Sequence, residues 1–153
     1  MDVRYINPFL SGTVEVLSTM AHVQLIPGKP FIKSGQTAMG DVTGLVGLTG
    51  EVRGSLSVTF VFRVIQATMK GMLGDEITEI DNTVRDAVGE LTNMISGTAR
   101  RYLAEEGLSL RAGIPTVVSG KGHVIQHITN SPILAIPFQS QFGRVLVEVS
   151  IEG

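Results

Sequence analysis

A chain of 153 residues suits one compact domain, and at that length folding buries roughly 70% of the unfolded surface, so the core needs no staples. Hydrophobic residues make up 43% and charged residues 17%, which excludes a disordered chain. There are no cysteines, so disulfides, thiolate zinc sites and cysteine nucleophiles are excluded, and a formal net charge of -2 without a basic stripe argues against a nucleic-acid partner.

The N-terminal stretch MDVRYINPFL carries charges early and lacks an apolar run, so it does not read as a signal peptide. No stretch of about 18 apolar residues is available to cross a membrane. A cytoplasmic protein is expected.

Residues 6–22 place Phe9, Leu10, Val14, Leu17 and Met20 three and four apart, the spacing of a helix with one apolar face. Asn7-Pro8 suits its start, where the missing N–H of proline costs nothing. Residues 27–41 hold Pro27, Gly28, Pro30, Gly35 and Gly40 and read as an irregular link with one short strand around Phe31 and Ile32. The runs 42–48 and 55–62 read as a hairpin punctuated by Gly50 and Gly54. In the second run Leu56, Val58, Phe60 and Phe62 alternate with Ser55, Ser57, Thr59 and Val61, so one face should point into the core.

Residues 63–73 predict a short helix ending near Gly74-Asp75, and residues 82–106 the longest helix, with Asp81 as its N-cap and Gly107 as its stop. Val84, Ala87, Val88, Leu91, Met94, Ile95 and Ala99 form its apolar stripe. Strands return at 116–119, 124–129, 133–139 and 144–151. The order predicts an α+β fold, an antiparallel sheet with long helices packed on one face, in a single domain over residues 1–153. Each half reads as helix, loop and hairpin. Ser11-x3-Glu15-x2-Ser18 has the spacing of Asp86-x3-Glu90-x2-Asn93, which suggests a pseudo-twofold internal repeat.

Asp86, Glu90 and Asn93 share one face of the long helix, and Gly97 extends it by a turn. Carboxylates on a helix most often mark a solvated face. Here the composition points further. Asparagine is a mediocre helix former because its amide competes with the backbone. Gly89 and Gly97 each cost roughly 1 kcal/mol relative to alanine. Small residues beside a polar stripe give another macromolecule room to approach.

Other constellations are poor. His22, His123 and His127 are the only histidines. On a strand, His123 and His127 would stand roughly 13 Å apart, too far to share a metal, so no metal site is expected. The stretch 113–121 ends in Gly-Lys-Gly rather than the Gly-Lys-Ser/Thr of a phosphate loop. Gly44, Gly47 and Gly50 have the wrong spacing for a dinucleotide loop and suit turns and close strand packing. Ser119 has no evident histidine and aspartate companions.

The segment Asp86-Ala-Val-Gly-Glu90-Leu-Thr-Asn93-Met-Ile-Ser-Gly97 resembles the signature of the CheC/CheX/FliY group of chemotaxis phosphatases: Asp or Ser, three residues, Glu, two residues, Asn. Pro115-Thr116-Val117-Val118-Ser119-Gly120 and the hairpin around Gly50–Ser57 also resemble that family. Only one motif is complete, which points to the CheX-like rather than the CheC-like branch. The resemblance implies that the substrate is the aspartyl phosphate of a CheY-like receiver domain, which brings its own Mg²⁺; no cofactor is implied for this chain. It implies that Asn93 orients the attacking water and Glu90 pairs with a receiver lysine, while Asp86 and Gly97 help the partner dock. It implies a homodimer, and exposed sheet edges would support pairing of strands between copies. Ser18 stands where the first helix would need Asn, so Ser11, Glu15 and Ser18 are not expected to form a second site. Against the phosphatase stands one alternative, a receiver-docking adaptor or flagellar-switch-like binding module without turnover.

Overall fold

The computed structural model describes residues 3–152. A short turn of 3-10 helix, Val3–Tyr5, leads into α1 (Ile6–Ala21). Two short strands follow, β1 (Ile26–Pro27) and β2 (Phe31–Lys33), then the hairpin β3 (Val42–Gly50) and β4 (Arg53–Phe60). Helices α2 (Phe62–Leu73) and α3 (Asn82–Glu105) come next. The chain ends with β5 (Leu110–Ala112), β6 (Thr116–Ser119), and the hairpin β7 (Ile133–Ser140) and β8 (Gly143–Glu152).

The eight strands form one antiparallel sheet in the order β1-β7-β8-β4-β3-β5, with β2 also on the free edge of β7 and β6 also on that of β3. Each half therefore runs helix, two short edge strands, hairpin. This order does not by itself establish the expected internal repeat, since α2 has no counterpart in the second half.

Alternation along the strands builds the core. Leu56, Val58 and Phe60 stand opposite Val149, Val147 and Val145, which stand opposite Leu134, Ile136 and Phe138. Except for Leu134, these side chains form one core cluster with Phe9 and Leu17 of α1 and Val88, Leu91 and Ile95 of α3. Each such side chain, fully buried, contributes about 1.5–3 kcal/mol. The expected α+β fold with helices on one sheet face is present.

Both ends of α3 follow from local chemistry. The Asp81 carboxylate accepts from the Val84 backbone N–H at 3.0 Å, capping the first turn. At the other end Gly107 takes φ 88°, and the N–H groups of Gly107 and Leu108 donate to Ala104 and Leu103 carbonyls at 3.0 and 2.9 Å. This double closure satisfies carbonyls that the helix leaves free, and it needs a residue that tolerates left-handed φ.

One expectation needs correction. Residues 124–129 are not a strand; only an isolated bridge joins Val124 to Thr37. That segment instead lies across the second face of the sheet, beside residues 36–38, with which it exchanges backbone hydrogen bonds (Ile125 to Gln36, 2.7 Å; Ala38 to His123, 2.8 Å). The polar face of β4 is consequently buried as well: Ser55, Ser57 and Thr59 are shielded from solvent. Two short edge strands that the sequence pattern does not announce, β1 and β5, complete the sheet.

Candidate active site

Small residues set the position of α3. Its Thr92 sits over Gly44 of β3, where a Cβ would overlap the threonine hydroxyl. α1 approaches α3 at Gly12, where a Cβ would lie 3.3 Å from the Ala99 nitrogen and the Ile95 oxygen. On its other flank Arg85 donates to the Ser119 hydroxyl of β6 at 3.3 and 3.2 Å, and to Asn82 at 3.2 Å. With the buried side of α3 fixed this way, the helical period decides what faces outward. Asp86, Glu90 and Asn93 are exposed and Gly97 half-buried.

Among the described residues, none of these three polar side chains makes a hydrogen bond or ion pair. Glu90 and Asn93, three residues apart, have Cβ atoms about 5–6 Å apart. The site is therefore an anionic carboxylate beside a neutral carboxamide that both donates and accepts, each with its full hydrogen-bonding capacity free. They lie on an open helix face, which suits a macromolecular partner.

The two glycines of α3 differ. Gly89 is buried under β6, with Val117 and Pro115 carbons 3.6 and 3.9 Å from where its Cβ would stand, so it offers no room to a partner. Gly97 does: only the Arg100 guanidinium comes within 4 Å, at 3.8 Å. Gly97 also lines a groove of about 340 Å³ between α1 and α3, together with Glu15, Met20, Met94 and Arg101.

The first-helix echo is tied up. Glu15 accepts from the Tyr102 hydroxyl at 2.7 Å and pairs with Arg101 at 3.5 Å, and Ser18 accepts from Gln24 at 3.1 Å. The Glu15 hydrogen bond is the main reason the Tyr102 phenol is held above its usual range.

Sequence reasoning missed a buried polar cluster on the second sheet face. Lys33 pairs with Glu148 at 3.0 Å, Glu148 meets His127 Nε2 at 3.3 Å, and His127 Nδ1 meets the Ser55 hydroxyl at 2.6 Å. His123 similarly meets Thr43 at 2.6 Å. Burial pushes the Glu148 carboxyl up, but the His127 hydrogen bond and the Lys33 charge outweigh it and hold the group below its ordinary range. Ser55, His127 and Glu148 stand in the order of a nucleophilic triad, yet Ser55 and Glu148 are 0% exposed, so no substrate reaches the hydroxyl. The cluster is a clamp for residues 120–131. Among the described residues no group of three or more His, Asp or Glu is placed to hold a metal ion, and no helix is long and apolar enough to cross a membrane.

Fold and site together define a class: an α+β scaffold presenting an unpaired Glu–Asn pair on a braced, exposed helix. The family model described as chemotaxis phosphatase CheX matches residues 42–139, a span that includes all of α3. The CheY-P phosphatase CheX of Thermotoga maritima is 30% identical over 125 residues, 79% of each chain. The crystal structure of a CheC-like superfamily protein from Shewanella sp. PV-4 superposes with a TM-score of 0.93 at 44% identity, over 100% of both chains. The crystal structure of the CheX–CheY–BeF3–Mg²⁺ complex from Borrelia burgdorferi gives a TM-score of 0.81 at 27% identity, over 97% of this chain and 98% of that one. The chain belongs to the CheX family of chemotaxis phosphatases.

Proposed function

We propose that this protein hydrolyses the aspartyl phosphate of a CheY-like receiver domain. The observation that carries the reading is the state of Glu90 and Asn93: exposed, adjacent and unpaired on a helix locked from behind. A relative that is a CheY-P phosphatase, and another held in complex with CheY, supply the substrate class.

In this mechanism the Glu90 carboxylate pairs with a receiver lysine beside the phosphoryl group, a charge-assisted contact that fixes the docked geometry. The Asn93 carboxamide then enters the receiver's site and holds a water in line with the phosphorus–oxygen bond. Oxygen of water bonds to phosphorus, the aspartate carboxylate leaves, and inorganic phosphate is released. A carboxamide is no base, so the water's proton passes to phosphoryl oxygens or receiver groups. The gain comes from position and electrostatics. The receiver's Mg²⁺ belongs to the substrate; this chain brings no cofactor. Asp86 and Gly97 border the pair as docking positions.

The homodimer belongs to the same reading. Ile26 and Ile32, 70% and 62% exposed on β1 and β2, mark an edge suited to strand pairing with a second copy. Light scattering tests this, a dimer mass being expected.

The test of function is phosphate release from a phosphorylated cognate receiver with this protein at a tenth of the receiver concentration or about that. Accelerated release over many turnovers is expected. Binding without acceleration would replace the phosphatase with the adaptor.

A further inference from the structure

We propose that Ile114 is a preformed apolar anchor for the receiver domain, seated beside the Glu90–Asn93 pair and setting how the receiver docks; this rests on the phosphatase reading. Ile114 is 92% exposed, far more than any other large apolar side chain among the described residues. It contributes almost nothing to the core, yet it is held firmly. The Gly113 N–H before it donates to the Gly47 carbonyl at 3.0 Å. Pro115 after it restricts Ile114 to extended backbone, and its own β-branched side chain is stiff at χ1.

Pro115 and Val117 rest against Gly89 of α3. Gly89 precedes Glu90 and lies one turn before Asn93, so the segment that carries Ile114 runs along the flank of that pair, with Pro115, the next residue, as its point of approach to the helix. On the opposite flank the α1–α3 groove carries Met20, 41% exposed, and Met94. The polar pair thus has the Ile114 knob on one flank and, on the other, a mixed groove in which Met20 and Met94 stand beside Glu15 and Arg101. A partner that pairs with Glu90 and admits Asn93 must lay its own surface over this knob. The occupant it fits is a receiver domain with an apolar patch beside its phosphorylation site. A rigid knob loses little entropy when covered, which is how an anchor gains affinity.

The experiment compares wild type, Ile114→Ser, Ile114→Leu and Asn93→Ala. Read-outs are steady-state phosphate release, calorimetric binding to beryllofluoride-activated receiver, and light scattering. Ile114→Ser is expected to raise KM and the dissociation constant about tenfold to a hundredfold with kcat and melting temperature nearly unchanged. Ile114→Leu should restore most of the loss, and Asn93→Ala should lower kcat instead. Should wild type bind without turnover, the phosphatase reading fails, while the binding loss of Ile114→Ser still supports the anchor. Wild-type KM and binding in Ile114→Ser would overturn the proposal. So would loss of the dimer in that variant, which would assign the knob to contact between copies.

Discussion

Thr92 of α3 rests on Gly44 of β3 so closely that the glycine has no room for a Cβ. Thr92 is the residue before Asn93, and its own hydroxyl donates to the Val88 carbonyl at 2.7 Å inside the helix. The back of the helical turn that carries Asn93 is therefore pressed onto the sheet. Gly44→Ala is expected to cost about 1–3 kcal/mol, as overpacking does, and to lower kcat by tilting Asn93. Adding Thr92→Ala should recover part of both. Denaturant melts and phosphate release on the single and double variants check this; an unaltered midpoint in Gly44→Ala would show that the contact has slack.

Completing the first-helix motif should not create a second site. Ser18→Asn supplies the missing carboxamide, but Glu15 stays bound to Tyr102 and Arg101 from α3. A receiver lysine would have to displace both of those partners to meet its carboxylate. The expected kcat per chain is that of wild type. A doubling would mean that the Tyr102 contact yields to the receiver.

Acid should loosen the clamp behind the sheet. Glu148 titrates below its ordinary value of 4.5 in the folded protein because Lys33 and His127 favour its charged form. A carboxyl with a depressed folded pKa stabilises fully above the unfolded value and loses that contribution as pH falls through the folded one. Stability should therefore drop below about pH 4.5. Lys33→Met leaves the buried Glu148 carboxylate with His127 as its one remaining partner and should cost about 3–5 kcal/mol. Lys33→Met with Glu148→Leu should regain most of this and flatten the acid limb. Urea midpoints between neutral and acid pH read both effects, and an equally steep limb in the double variant would remove Glu148 as the cause.

Legibility in the sequence followed the range of the interaction. α3 was readable end to end because its apolar period, the Asp81 cap and the Gly107 stop act within a few residues. The hairpins followed from alternation and flanking glycines. β5 is three residues long and carries too little alternation to register. Residues 124–129 look strand-like because they are rich in Val, Ile and Thr. Their side chains were instead committed to the sheet face, through His127 to Ser55 and Thr129 to Ser150, pairings 72 and 21 residues apart. Lys33 and Glu148 are separated by 115 residues, and Glu15 and Tyr102 by 87; no local pattern announces either. The spacing Asp86-x3-Glu90-x2-Asn93 by itself marks only a polar face; the family resemblance is what makes it a candidate site. The fold added that Glu90 and Asn93 are free while Glu15 is not, and that Gly97 is open while Gly89 is covered.

The measurement closest to the central claim is the kcat of Asn93→Ala on a phosphorylated cognate receiver, with binding to the beryllofluoride-activated receiver followed in parallel. Loss of a group that positions water and meets developing charge should cost about a hundredfold or more in kcat, with binding nearly unchanged. Wild-type turnover by Asn93→Ala would contradict the account, since among the described residues no other unpaired carboxamide on that face stands beside Glu90.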